Sequence, residues 1–235
     1  MADILITAVS ASYSGSEQAD DIRNGTGNLR DVTVLGLSGD DLLSIGSAVQ
    51  AGTGNGGAGL GFSLGSSNLN LGAGADTLTF SGQAGSGFAQ FRNVSVALGS
   101  EADFAYINGL ASASASVVRG NEGDDEITFS SINTAGAATA FDVRVNGNAG
   151  DDSISATWTG TEARNFVVLA GQGADTLDVT FSAVSAHSTA ERNESGAKVG
   201  GNKGDDIISV DIQGASDNVR VNGNSGADTI TVSAT

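Results

Sequence analysis

One short pattern returns eight times along the 235 residues, each time in the same register about an aspartate: Asp41, Asp76, Asp103, Asp125, Asp152, Asp175, Asp206 and Asp228. Counting from that anchor as position 0, position −7 is Val34, Leu69, Val96, Val118, Val145, Val168, Val199 or Val221. Position +2 is Leu43, Leu78, Ala105, Ile127, Ile154, Leu177, Ile208 or Ile230. All sixteen are apolar, while the distance from one anchor to the next varies from 22 to 35 residues. A repeat that tolerates insertions but no internal shift is a structural coil, too small to bury its own apolar face and obliged to stack on its neighbours.

The local period says what is stacked. After the anchor, apolar residues fall two and four places on, as in Leu78 and Phe80, Ile127 and Phe129, or Ile208 and Val210. Before it, Val94 with Val96, Val143 with Val145 and Phe166 with Val168 keep the same alternation, which marks half-buried strands. The expected fold is all-β: a parallel β-solenoid, β-helix-like or β-roll-like, with one Gly/Asn/Asp corner per coil of about 22–35 residues and coils about 4.8 Å apart. The unbroken repeat predicts a single domain over 1–235, with 1–31 a degenerate first coil or cap and 32–235 carrying the eight motif-bearing coils. Within 1–31, Gln18-Ala19-Asp20-Asp21-Ile22 is a glycine-free trace of the pattern, expected in a terminal half-coil. The insertions Gly46 to Gly65 and Ser182 to Gly196 are expected as loops opposite the fixed corner.

Composition narrows the partners. With 35 Gly, no Pro and no Cys, turns rest on Gly, Asn and Asp, and no disulfide framework exists. Stability must come from stacking or from metal. A net charge of −17, from 27 acidic against 10 basic residues, disfavours nucleic acid and anionic membranes and favours cations. No apolar run approaches the roughly 18 residues of a membrane-spanning helix. Met1 to Ser12 lacks a basic leader and alternates as a strand, so export without a cleaved N-terminal signal is expected.

The corner carries the candidate chemistry. It reads Gly120-Asn121-Glu122-Gly123-Asp124-Asp125, Gly147-Asn148-Ala149-Gly150-Asp151-Asp152, Gly201-Asn202-Lys203-Gly204-Asp205-Asp206 and Gly223-Asn224-Ser225-Gly226-Ala227-Asp228. Gly or Asn in the first two places and Gly in the fourth tolerate positive φ, letting the chain turn with carbonyls inward. A carboxylate then closes the ring, completing the hard-oxygen set that Ca²⁺ takes. Asp40 with Asp41, Asp124 with Asp125, Asp151 with Asp152 and Asp205 with Asp206 would stack like charges within one strand spacing. A cation between them reverses the sign of that interaction.

These residues resemble the repeats-in-toxin family, the hemolysin-type calcium-binding repeats, whose consensus G-G-x-G-x-D-x-U-x builds calcium-binding parallel β-rolls. Gly201 to Ile208 matches it with Asn202 at the second glycine. Gly72-Ala73-Gly74-Ala75-Asp76-Thr77-Leu78 and Gly171-Gln172-Gly173-Ala174-Asp175-Thr176-Leu177 keep its central G-x-G-x-D-x-L. The resemblance spans about residues 32 to 235. It implies an extracellular or cell-surface protein, exported by type I secretion, that folds on meeting calcium. Asp76, Asp125, Asp152, Asp175, Asp206 and Asp228 would then be carboxylate ligands and the turn carbonyls would complete the shell. The chain departs from the family in having one motif per coil, which implies ions along one edge only. Two corners also depart: that of Asp103, Gly99-Ser100-Glu101-Ala102-Asp103, lacks the second glycine, and that of Asp41 has Leu37 where Gly or Asn stands elsewhere. The expected metal set is therefore Asp41, the anchors just given, Asp124, Asp151 and Asp205, with the Gly and Asn residues of the corners.

Other chemistry has little to work with. The single His, His187, stands beside Ser185 and Ser188 in a polar insertion, and the chain has neither a Cys nucleophile nor a phosphate-binding loop leading into a helix. No enzyme activity is expected. Arg144, Lys198 and Arg220, each eight places before an anchor, form an outward basic row. That row suits an anionic cell-surface glycan, as in a calcium-dependent adhesin, or less readily a polysaccharide lyase. Ile4 to Val9 and Ile230 to Val232 already read as strand, with no proline or lysine cluster blunting either edge. Unlike ends that template one another generate filaments, so the leading expectation is head-to-tail assembly of this chain with itself into an extracellular filament or surface layer.

Overall fold

The computed structural model describes residues 3–6, 10–24, 28–46, 63–81, 90–131, 139–182, 196–214 and 218–235. His187 and most of both long insertions lie outside the described residues. Every described element is a strand and every pairing is parallel, so the chain is a β-solenoid. One sheet stacks ten strands, from Asp3–Ile6 and Asp21–Asn24 through Glu126–Ser131 and Ser153–Trp158 to Thr229–Ala234. The other has twelve, and its long members Ser112–Glu122, Thr139–Ala149 and Glu162–Gln172 reveal a feature that the alternation did not.

Each long strand runs along two faces. Gln90–Arg92 pairs with the first part of Ser112–Glu122, and Ser95–Ser100 pairs with its second part. Between the two parts one residue takes a left-handed conformation: Ser10, Asp31, Ser66, Asn93, Ala115, Asp142, Asn165 or Asn218, with φ between 47° and 58°. All of these lie ten places before an anchor aspartate, counting Asp20 as one. The coil therefore has three faces, with a bend at position −10 and the Gly/Asn/Asp corner at −5 to 0.

The predicted rows stack as rows. Leu69, Val96, Val118, Val145, Val168, Val199 and Val221 are direct ladder partners in sequence, as are Leu78, Ala105, Ile127, Ile154, Leu177, Ile208 and Ile230. A third inward row, at position −12, faces them: Leu29, Leu64, Phe91, Ala113, Ala140 and Ala163, all fully buried. Side-chain size is exchanged between rows. Where position −12 shrinks to Ala140 and Ala163, Phe166 and Trp158 enter from other positions, and Phe80, Phe91, Phe129, Phe166 and Phe181 form an edge-to-face chain with centroids 5.5–6.0 Å apart. Constant cross-section with varying residues is what close packing demands of a stacked core.

Candidate metal centre

The corner turns on two positive-φ residues. Position −4 is Gly72, Gly99, Asn121, Asn148, Gly171, Asn202 or Asn224, with φ between 74° and 140°. Position −2 is Gly39, Gly74, Gly123, Gly150, Gly173, Gly204 or Gly226, at φ 104° to 137°. At −2, glycine is required twice over, because coils approach closely there. A Cβ on Gly204 would lie 1.6 Å from the Gly173 carbonyl oxygen, and one on Gly226 1.7 Å from that of Gly204. The exception is Glu101, which adopts φ 80° at the Asp103 corner. Leu37, the other departure, keeps Gly72 as its ladder partner.

The first corner residue works differently from the expectation. Gly120, Gly147, Gly201 and Gly223 do not take positive φ. In these four coils the anchor carboxylate lies across the glycine, where a Cβ would fall 1.9–2.0 Å from Oδ2 of Asp125, Asp152, Asp206 or Asp228, whereas Leu71, Leu98 and Ala170 hold the same position before Asp76, Asp103 and Asp175.

The anchors form a continuous ladder. The amide of Asp20 donates to Oδ1 of Asp41 (2.8 Å), that of Asp41 to Asp76 (2.7 Å), Asp76 to Asp103 (2.7 Å), Asp103 to Asp125 (3.0 Å) and Asp125 to Asp152 (2.9 Å). Asp152 donates to Asp175 (2.7 Å), Asp175 to Asp206 (3.1 Å) and Asp206 to Asp228 (3.1 Å). Each anchor carbonyl accepts from the residue after the next anchor, as Asp125 does from Ser153 at 2.8 Å. The backbone of the column is thus satisfied, and one carboxylate oxygen per coil satisfies it.

The other oxygen is left over. Oδ2 of Asp41, Asp76, Asp103, Asp125, Asp152, Asp175 and Asp206 is buried and has no hydrogen-bond partner. Beside those of Asp125 and Asp152 stands another acceptor. A Cβ placed on Gly120 would meet both Asp125 Oδ2 at 1.9 Å and the Gly147 carbonyl of the next coil at 2.7 Å; on Gly147 it would meet Asp152 Oδ2 at 2.0 Å and the Ala170 carbonyl at 2.7 Å. Two oxygens converging with no hydrogen between them repel unless a proton or a cation joins them. Burial, resisted by the donated amide and reinforced by neighbouring carboxylates, pushes Asp76, Asp125 and Asp152 up to about 7. It pushes Asp103 and Asp175 to about 6, and raises Asp41 and Asp206.

The second acids of the corner are outside. Asp40, Asp124, Asp151 and Asp205 are exposed and accept from the amides of Ala75, Asp151, Ala174 and Ala227 at 2.7–3.1 Å. They lace successive coils in the opposite sense to the buried column. Of the expected ligand set, the anchors lie inward in one column, and Asp124, Asp151 and Asp205 lie on its solvent side. Among the described residues, no three His, Cys, Asp or Glu side chains gather in one group. A cation here would instead be held by one carboxylate oxygen and backbone carbonyls, a donor set that suits a hard ion.

Two members of the column lack the glycine signature. Asp103 is as buried as the rest and its Oδ2 is equally unpartnered. Asp20 starts the ladder, but its Oδ2 accepts from the Ser16 amide at 2.5 Å. The apolar register on either side, Val96 and Ala105 about Asp103, Tyr13 and Ile22 about Asp20, is the signal that includes them. No family model, curated protein or solved structure matches this chain.

Proposed function

We propose that this chain is a calcium-stabilised structural β-solenoid of the repeats-in-toxin kind, working outside the cell. One observation carries the reading: a column of buried carboxylate oxygens without a donor, of which those of Asp41, Asp125 and Asp152 lie beside a carbonyl of the next coil. Ca²⁺ supplies the missing positive charge. Oδ2 of Asp76, Asp103, Asp125, Asp152, Asp175 and Asp206 would hold it, with the facing carbonyls and water completing the shell. Because the column exists only when coils are stacked, ion binding adds directly to folding free energy. The solenoid then folds where calcium is plentiful, which agrees with an extracellular place of work.

The test is thermal unfolding followed by circular dichroism in millimolar calcium and in excess chelator, together with calorimetric titration of the ion. A large drop in Tm on chelation, with saturable calcium binding, is expected. Identical melting in both, with no heat of binding, overturns the reading.

End-to-end association is the second part of the proposal. Parallel strands of one register, with Ile4 paired to Ile22 and Ile208 to Ile230, would let a second copy of this chain stack on the first. Negative-stain microscopy in calcium reads this directly: fibres support it, and discrete particles at all concentrations remove it.

A further inference from the structure

The cations of this acidic chain are not scattered. Seven of the ten Lys and Arg residues, Arg30, Arg92 and Arg164 at position −11, Arg144, Lys198 and Arg220 at −8, and Arg119 at −6, flank the bend at −10, away from the aspartate corner. Outward positions −8 and −6 carry four of these cations and not one acid, from Thr33 and Leu35 to Arg220 and Asn222. Here the molecule also has a groove. Consecutive hollows beside the bend share Ala115 and Val117, then Arg144, Asn165 and Val167, so they join along the solenoid axis. Among the described residues, the one acid lining the two hollows richest in cations is Asp142, which accepts from the side-chain amide of Asn165 at 2.8 Å.

The cations are concentrated on one face. Lys198 and Arg220 are direct ladder partners, so two like charges stand about one strand spacing apart, and such pairs repel. Val167 separates Lys198 from Arg144 by one rung. Arg144, Lys198 and Arg220 all point to solvent. An anion in the groove converts that repulsion into attraction.

We infer that the groove beside the −10 bend binds an extended anionic polysaccharide along the solenoid axis, with Arg144, Lys198 and Arg220 contacting successive carboxylates or sulfates. A polymer fits better than a small anion because both groove and basic row extend over several rungs. Toward the N-terminal half the lining changes to Thr33, Ser66, Asn68, Asn93 and Ser95 with one acid, Asp31, so the hydroxyl and amide groups there match sugar hydroxyls and the charged contacts fall in the other two hollows. A nucleic acid strand fits worse, since none of the groove residues is an aromatic on which bases stack. This surface is independent of the calcium column, and the −17 charge is screened beyond about 8 Å at physiological salt.

Fluorescence polarisation with a labelled hexa-uronate, in calcium buffer of about 0.15 M ionic strength, tests the inference. The intact chain binds it, and affinity falls as salt rises. The triple variant Arg144→Gln/Lys198→Gln/Arg220→Gln binds about tenfold more weakly or worse, with its circular dichroism and Tm kept. Lys203→Gln, at the other corner, changes the net charge without changing binding by more than about twofold. Four results overturn the inference: no binding by the intact chain, equal binding by the triple variant, equal binding of a neutral hexasaccharide, or displacement by a single-stranded oligonucleotide at lower concentration than by unlabelled hexa-uronate. Should the triple variant melt early, the single Lys198→Glu variant gives the same reading. The outcome is separable from the calcium reading, because loss of ion binding would show in the melting experiment and leave the basic groove in place.

Discussion

The two corners of the coil turn the chain by different means. At −10 one residue with φ near 50° is enough, and Ser, Asp, Asn and Ala all serve. At −5 to 0 the chain needs two positive-φ positions, a glycine column stacked almost in backbone contact, and a buried carboxylate whose one oxygen holds the neighbouring coil while its other has no donor. The bend is permissive because most of its side chains face solvent and touch one another only through polar ends, as Asn165 does Asp142. The aspartate corner is restrictive because a neighbour lies directly above and below every atom of it. A turn needs sequence specificity to the degree that it is buried.

Substituting the glycine of the restrictive corner should have the largest effect. Gly204→Ala combines φ 130° with a Cβ 1.6 Å from a backbone oxygen, and is expected to cost about 4 kcal/mol or more in chemical unfolding. The matching change at the bend, Asn165→Ala, is expected to cost about 1 kcal/mol, since Ala115 already occupies that conformation. Equal losses would show that both turns are restrictive.

The next effect is pH. In chelator, the anchors at about 7 when folded, Asp76, Asp125 and Asp152, bind protons that the unfolded chain, with ordinary aspartates near 3.8, releases. Their contribution is fully present below about 4 and is lost as pH rises through about 7. Chelated protein should therefore melt higher at pH 5 than at pH 8. Calcium, which competes with the proton for Oδ2, should close or reverse the difference. Chelated samples melting alike at both pH values would contradict the buried column.

A single carboxamide separates proton from ion. Asp152→Asn keeps Oδ1 for the Asp125 amide and offers a donor to the Ala170 carbonyl. In chelator it is expected to gain about 1 kcal/mol, and in calcium to lose part of the increment that the ion supplies. Asp142→Asn, its counterpart at the bend, should stay within about 0.5 kcal/mol in either buffer. Ala115→Gly relieves the left-handed alanine at the bend and should change stability by less than about 0.5 kcal/mol, because the strain removed is offset by the added freedom of the unfolded chain, read as a Tm within a few degrees of the parent.

Much of this was legible in the chain. The rows at −7 and +2 were readable because inward strand residues in stacked coils must all be apolar, and an apolar residue eight times over at a fixed offset is not produced by loops. The corner glycines at −2 were readable because backbone contact leaves no room for a Cβ. The bend at −10 was hidden, since a left-handed residue in solvent leaves a trace only of Asn, Asp, Ser and one Ala. The −12 row was hidden for the opposite reason: Leu29, Phe91 and Ala140 vary in size because the volume they fill is shared with other rows. Asp103 and Asp20 kept the apolar register, but their place in the carboxylate column was not legible, because Glu101 and Gln18 stand where the other corners have glycine at −2.

By itself, the sequence determined that coils stack, in what register, and where the restrictive corner lies, because each is set by a residue's fit to an identical neighbour one rung away. Only the tertiary structure decided which carboxylate oxygen is held and which is left over, that three faces rather than two close the coil, and that Arg144, Lys198 and Arg220 share one groove. Those depend on distances between residues 22 to 35 positions apart, which the stacking creates and local pattern does not encode.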